Sequence, residues 1–265
     1  MASSGTPGST KATFSDTRQL AVERSLVDAT LAGSQTDRVQ GVEVGYTSQE
    51  IPLRAAASFN DGDNSKNTDF RDSDGSADTA TTARVDGNFG VSGRVEYKFF
   101  GDWKDYSDLT AKNVKQDLLV AGLGVDISQN GDATVDRFAA DLQYGRTDGW
   151  TAFGQFVYVY NDTDNSSNYG VTGQVGYLVN PKVEVFGRYS YLNFDTPIGG
   201  EDNFHELTAG VNYYFGPDGA WQNNVKFTLD VNYLPTGSPG NQTGVGYLAG
   251  DENQIVVRAQ FQLVL

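Results

Sequence analysis

The segment Ile255 to Leu265 alternates. Ile255, Val257, Ala259, Phe261, Leu263 and Leu265 fall on one side of an extended chain, with Arg258, Gln260 and Gln262 on the other; Val256 and Val264 interrupt the polar side at its ends. A period of two marks a strand with one apolar and one wet face. Such a strand at a chain end narrows the choice of fold. In water an unpaired apolar edge invites aggregation, whereas a transmembrane β-barrel pairs its last strand with its first and turns the apolar face to lipid. Leu265 stands where such barrels usually carry a terminal aromatic, with Phe261 four residues earlier.

The same phase recurs upstream. Val183, Val185, Gly187, Tyr189 and Tyr191 oppose Glu184, Arg188 and Ser190; Val225, Phe227, Leu229, Val231 and Tyr233 oppose Lys226, Thr228, Asp230 and Asn232. The pattern predicts strands near 39–47, 51–60, 83–99, 115–127, 133–145, 149–161, 168–179, 182–194, 203–215, 223–235 and 253–265, most of them long enough to cross a bilayer when tilted. The expected fold is all-β, an antiparallel up-and-down transmembrane β-barrel with about eleven to twelve strands in this chain. Tyr97, Phe99, Tyr158, Tyr160, Tyr177, Tyr189, Tyr191, Tyr213, Phe215 and Tyr233 gather near strand ends, as aromatic girdles require. A soluble sandwich would explain the alternation equally well but accounts less well for those ends.

Connections sort into two kinds. Counting back from the C-terminus, 180–181, 146–148 and 48–50 are tight, and 216–222 is intermediate; the alternate connections 236–252, 195–202, 162–167 and 61–82 are mostly longer and rich in Gly, Asp and Asn. Short turns on one side and long loops on the other is the bacterial barrel pattern. Two segments depart from it, since 100–114 is long on the short-turn side and 128–132 is short on the loop side.

Composition is compatible with this. Mean hydropathy is −0.44, and no run nears the ~18 apolar residues of a membrane helix, but a barrel strand needs only every second residue apolar. A net charge of −15 argues against nucleic acid, and the absence of cysteine excludes a disulfide framework and thiolate metal sites. Met1 to Thr10 has neither a charged nor an apolar region of a signal peptide. The expectation is a numbering that begins after processing, or a start that has been removed or replaced.

Val22-Glu23-Arg24-Ser25-Leu26 is followed by Val39-Gln40-Gly41-Val42-Glu43-Val44 and by a Gly-Arg-Val-Glu-Tyr strand at 93–97. With the Ile255–Leu265 ending, these residues resemble the phosphate-selective porin O/P family over most of 20–265. The resemblance implies a Gram-negative outer-membrane porin: a barrel of sixteen strands, commonly a homotrimer, with an inward-folded constriction loop. It implies a constriction-loop-like, irregular segment at 1–37 and the barrel domain at 38–265, the chain either lacking several N-terminal strands or closing with about twelve. The partners implied are membrane lipid and lipopolysaccharide, small ions and solutes, and the barrel assembly machinery acting on the C-terminal strand.

A phosphate-selective pore needs a ladder of cations to replace the anion's hydration. The expected lumen face holds Arg54, Arg84, Arg94, Lys98, Arg137, Arg188, Lys226 and Arg258, with Arg24 on the N-terminal segment, but also Glu43, Asp86, Glu96, Asp126, Asp141, Glu184, Glu206 and Asp230. The signs cancel, which predicts a salt-bridged, hydrated wall. Asp117 and Asp136 fall on the lipid face of their expected strands, putting those registers in question. The loop at 61–82 carries Asp61, Asp63, Asp69, Asp72, Asp74 and Asp78 against Lys66 and Arg71 and reads as an acidic rim, without the glycine and closing glutamate of a calcium loop.

Catalytic and cofactor chemistry find no support. His205 is the only histidine and sits at a strand start, which excludes a multi-histidine metal site and makes it an interfacial residue. No cofactor or enzymatic activity is expected. The sequence therefore points to passive diffusion of small hydrophilic solutes and ions through a charge-lined lumen. The rival is a non-conducting structural or adhesive barrel whose acidic loops bind cations or a partner.

Overall fold

A computed structural model describes residues 8–10, 24–32, 39–48, 50–62, 89–107, 109–112, 114–130, 133–242 and 244–263. They form one antiparallel sheet in which each strand pairs with its neighbours in sequence. The strands are β1 (Gly8–Thr10), β2 (Val39–Thr47), β3 (Leu53–Asn60), β4 (Gly90–Phe100), β5 (Leu118–Asn130), β6 (Ala133–Gly145), β7 (Trp150–Asn161), β8 (Ser166–Asn180), β9 (Val183–Ile198), β10 (Glu201–Tyr214), β11 (Val225–Leu234) and β12 (Gln254–Leu263). Twelve strands in meander order agree with the expected up-and-down architecture.

Burial is inverted relative to a water-soluble protein. On β12, Val257 is 66% exposed and its neighbour Arg258 only 6%. Val44, Val95, Leu123, Val175, Leu207, Leu229 and Val231 are exposed on their strands, while Ser92, Asp126, Thr172, Glu206, Thr228 and Asp230 are buried. Water does not favour so extended an apolar surface; a hydrocarbon environment does. Aromatic rings mark both ends of the belt. Tyr97 with Phe99, Trp150 with Tyr177, and Phe215 with Phe261 lie at the end holding the C-terminus of β12. Tyr169, Tyr191 and His205 lie at the other, where the Tyr189 hydroxyl is 2.9 Å from His205 Nδ1.

The polar side is the concave one. Inner side chains of β6, β7, β9, β10 and β11 (Ala139, Val157, Leu192, Phe204, Leu234) meet in one cluster with Leu26, Val27 and Leu31 of the N-terminal segment and Val245 and Tyr247 of the β11–β12 connection. The sheet thus curls around residues 24–32, which end in a short helical turn at Asp28–Ala32.

Several boundaries differ from expectation. Residues before 38 are not wholly outside the sheet, because Gly8–Thr10 pairs with Val39–Gly41; three small residues carry no alternation to announce a strand. The connection expected at 195–202 reduces to Gly199-Gly200, with β9 and β10 continuing as a long hairpin. β5 is displaced toward the C-terminus relative to 115–127, so Asp117 belongs to no strand. Instead it accepts hydrogen bonds from the Thr147 backbone N–H at 3.0 Å and the Thr147 hydroxyl at 3.3 Å. Asp136 does face outward, at the loop end of β6 opposite Tyr160 of β7, where a carboxylate reaches water.

Candidate functional site

The site is the concave interior. Its inner charges meet oppositely charged partners on other strands, most of them on the adjacent strand and one beyond it. Arg94 on β4 passes over β5 to Asp141 on β6, with Nη1 to Oδ2 at 2.7 Å, and its Nε lies 3.0 Å from Glu96. It crosses at Gly122, where any Cβ would collide with the guanidinium and with Asp141. Arg137 pairs with Asp126 at 3.0 Å and Arg258 with Asp230 at 2.7 Å. Arg188 and Glu206, both fully buried, pair at 2.9 Å. Glu184 accepts from the Asn212 amide at 3.0 Å and from the Tyr214 hydroxyl at 2.5 Å, while Lys226 is buried on β11. Four of the cations expected on the wall therefore sit in ion pairs, and no single-sign ladder runs through these contacts.

Glu206 ties three parts of the chain together. It takes the Arg188 guanidinium on the wall, the Leu26 N–H of the N-terminal segment at 2.5 Å, and the Tyr247 hydroxyl of the β11–β12 connection at 3.0 Å. Burial, with this carboxylate close by, drives the Tyr247 hydroxyl pKa well above the tyrosine range, so it stays a neutral donor. Arg188 also donates to the Arg24 carbonyl at 3.3 Å, and Thr172 to the Ser25 hydroxyl at 3.1 Å. Arg24 itself is folded onto Asp28 at 2.6 Å. Val27 seats over Gly170, where a Cβ would strike Val27 and Leu192.

Opposite this filled half, Glu43, Arg54, Glu96 and Lys98 of β2 to β4 remain partly exposed. The Arg54 guanidinium lies 4.1 Å from the Trp103 ring centroid and the Lys98 ammonium 5.4 Å, both suited to the ring's negative face. The Tyr106 hydroxyl donates to Glu96 at 2.9 Å.

Asp61 departs from the acidic-rim expectation. It is fully buried, just past the end of β3, where Gly62 at φ +80° packs against the main chain of Phe89 and Gln129. Arg84 and Asp86, with Asp63, Asp69, Asp72, Asp74 and Asp78, lie outside the described residues. Among the described residues, no group of three His, Asp or Glu side chains could hold a metal ion. Sequence reasoning missed the interior roles of Tyr247, Trp103 and Tyr106 and the turn-spanning contacts of Lys112. For Trp103, Tyr106 and Lys112 the available signal was the excess length of 100–114 on the short-turn side.

An antiparallel meander that exposes its apolar face and folds its charges inward is built as the wall of a transmembrane β-barrel. Neither a protein-family model nor a curated protein matches the chain. Solved structures with similarity include the NanC porin, at 13% identity and TM-score 0.40, covering 85% of this chain and 94% of that one. Another is the outer membrane channel DcaP of Acinetobacter baumannii, at 15% identity and TM-score 0.47, covering 84% and 64%. A third is the outer-membrane expressed OmpT of Vibrio cholerae, at 12% identity and TM-score 0.39, covering 82% and 86%.

Proposed function

We propose that the protein resides in the bacterial outer membrane and passes small hydrophilic solutes and ions by passive diffusion. The observation that carries this reading is the inverted burial, apolar side chains outward and charged ones inward on the same strands. The partly exposed Glu43, Arg54, Glu96 and Lys98 mark the wetter side of the interior, opposite the half occupied by residues 24–32. Because Arg94, Arg137, Arg188 and Arg258 are engaged by carboxylates, the resemblance to the phosphate-selective family is read as one of architecture, without a phosphate track. A homotrimer surrounded by lipopolysaccharide, assembled through β12, belongs to the same reading.

The full chain, folded and inserted in a planar bilayer, should give discrete conductance steps. With a net charge of −15, it should show weak cation preference at low salt that fades as the Debye length shrinks to about 3 Å near 1 M. Inserted, heat-modifiable protein that passes no current would overturn the channel reading. That result would favour the second reading, a structural barrel, for which the packing of Leu26, Val27, Leu31, Val245 and Tyr247 inside the wall is the specific support.

A further inference from the structure

The connection between β4 and β5 is long where its neighbours are short, and its contacts explain the length. Gly101, at φ +98°, turns the chain off β4. Trp103 and Tyr106 then form a buried edge-to-face pair, 5.8 Å between centroids, packed on Leu118 and Val120. Trp103 Nε1 donates to the Ile51 carbonyl in the β2–β3 turn at 3.3 Å. Beyond this anchor the segment leaves its own strands. The Lys112 ammonium donates to the Pro181 carbonyl in the β8–β9 turn at 2.5 Å and to the Asp218 carbonyl in the β10–β11 turn at 2.8 Å. The chain returns past Gly145 to Asp117, which is held by Thr147 in the β6–β7 turn. One connection therefore touches the other four turns at its end of the sheet, reaching from the β2–β4 side across to β10–β11 and back.

Its two ends are held differently. The near end is aromatic, buried and stacked beneath two cations. At the far end, beside buried Thr110 and Ala111, one partly exposed ammonium meets two main-chain carbonyls and lies 5.9 Å from the Tyr214 ring centroid. The carbonyls accept it closely because Gly219, at φ +67°, has no Cβ to block Lys112. Burial draws the Lys112 pKa below the ordinary lysine range, with the Asp218 carboxylate opposing the shift.

We propose that the described residues of 101–117 form a strap across the channel mouth at this end, hinged at Trp103–Tyr106 and latched by Lys112 on the Pro181 and Asp218 carbonyls. Release of the latch widens the mouth. The role as a gate rests on the channel reading; the geometry of the latch does not.

The test uses the full chain, whose lack of cysteine gives a silent background. A reporter Gln143→Cys is placed on the inner face of β6, opposite Val120, which packs with Trp103 and Tyr106 of the strap. Its labelling by a charged maleimide is followed in folded, heat-modifiable protein. Lys112→Met should speed labelling about tenfold or more, as expected for loss of a charge-assisted hydrogen bond, and Lys112→Arg should restore the slower rate. The Met variant should also raise the single-channel conductance. Equal labelling in all three backgrounds would overturn the proposal even if the channel conducts. A channel that never conducts, with labelling that still depends on Lys112, would sink the diffusion reading and keep the strap. Should Lys112→Met fail to fold, Gly219→Ala, which presses a Cβ on the same latch, must speed labelling in its place; an unchanged rate there is equally decisive against it.

Discussion

Glu206 carries more connections than any simple wall residue needs. Its carboxylate serves a strand arginine, a main-chain N–H of the inner segment and a loop tyrosine, all without contact with water. A buried ion pair contributes little net stability against an apolar replacement, yet removing one partner strands the other. Glu206→Ala or Arg188→Ala alone should therefore each destabilise by roughly 3–5 kcal/mol, and the double variant by clearly less than their sum. Urea unfolding from lipid vesicles checks this; strictly additive losses would mean the two residues act independently. At this scale the sequence was only half informative. The alternation placed Arg94, Arg188 and Arg258 inside, and Arg258 meets Asp230 directly across from it on β11. The Arg94–Asp141 contact, however, depends on Gly122 clearing a path over β5, and the Leu26 and Tyr247 contacts of Glu206 depend on segments arriving from far along the chain. Nothing local in the sequence encodes these longer-range meetings.

Among the elements, the hairpin of β9 and β10 shows where periodicity stops being a guide. Within the apolar belt, each residue must choose lipid or interior, so outward and inward positions alternate from Val183 to Tyr191, with Phe186 the one apolar residue turned inward. Past it the alternation lapses through Asn193, Asp195 and Thr196, and the segment reads as a loop although β9 continues to Ile198, pairing with β10 at Asn193 and again at Ile198 across an irregularity. The hairpin closes on Gly199 and Gly200, at φ +64° and +94° with open space around both. Gly200→Val should cost about 1–3 kcal/mol through backbone strain alone. Hydrogen exchange should accelerate at 196–203 and stay unchanged at 183–190; unchanged exchange at the tip would show that the turn relaxes without penalty. The strap followed the opposite logic. Its length was visible, but its destination was not, because Lys112 bonds to carbonyls that any residue could supply.

For the whole molecule, the organisation is a wall with lipid-compatible residues outside and paired charges within, partly occupied by segments from both ends of the chain. The meander order and the inside–outside phase were legible because a two-residue period in a hydrocarbon medium leaves no freedom in register. How far the interior is filled was not, since Leu26, Val27 and Tyr247 lie on segments without strand periodicity. The most direct test of the account compares the two faces by folding into liposomes. Arg at Val211, Leu229 or Val257, whose side chains point outward from β10, β11 and β12, should destabilise by roughly 2–4 kcal/mol near mid-membrane. Arg at Thr208, Thr228 or Gln260, on the inner face of the same strands, should cost much less at Gln260 and leave membrane insertion intact at all three. A penalty at Gln260 equal to or larger than those at Val211, Leu229 and Val257, or loss of insertion in the inner-face variants, would contradict the assignment of lipid and lumen on which the account depends.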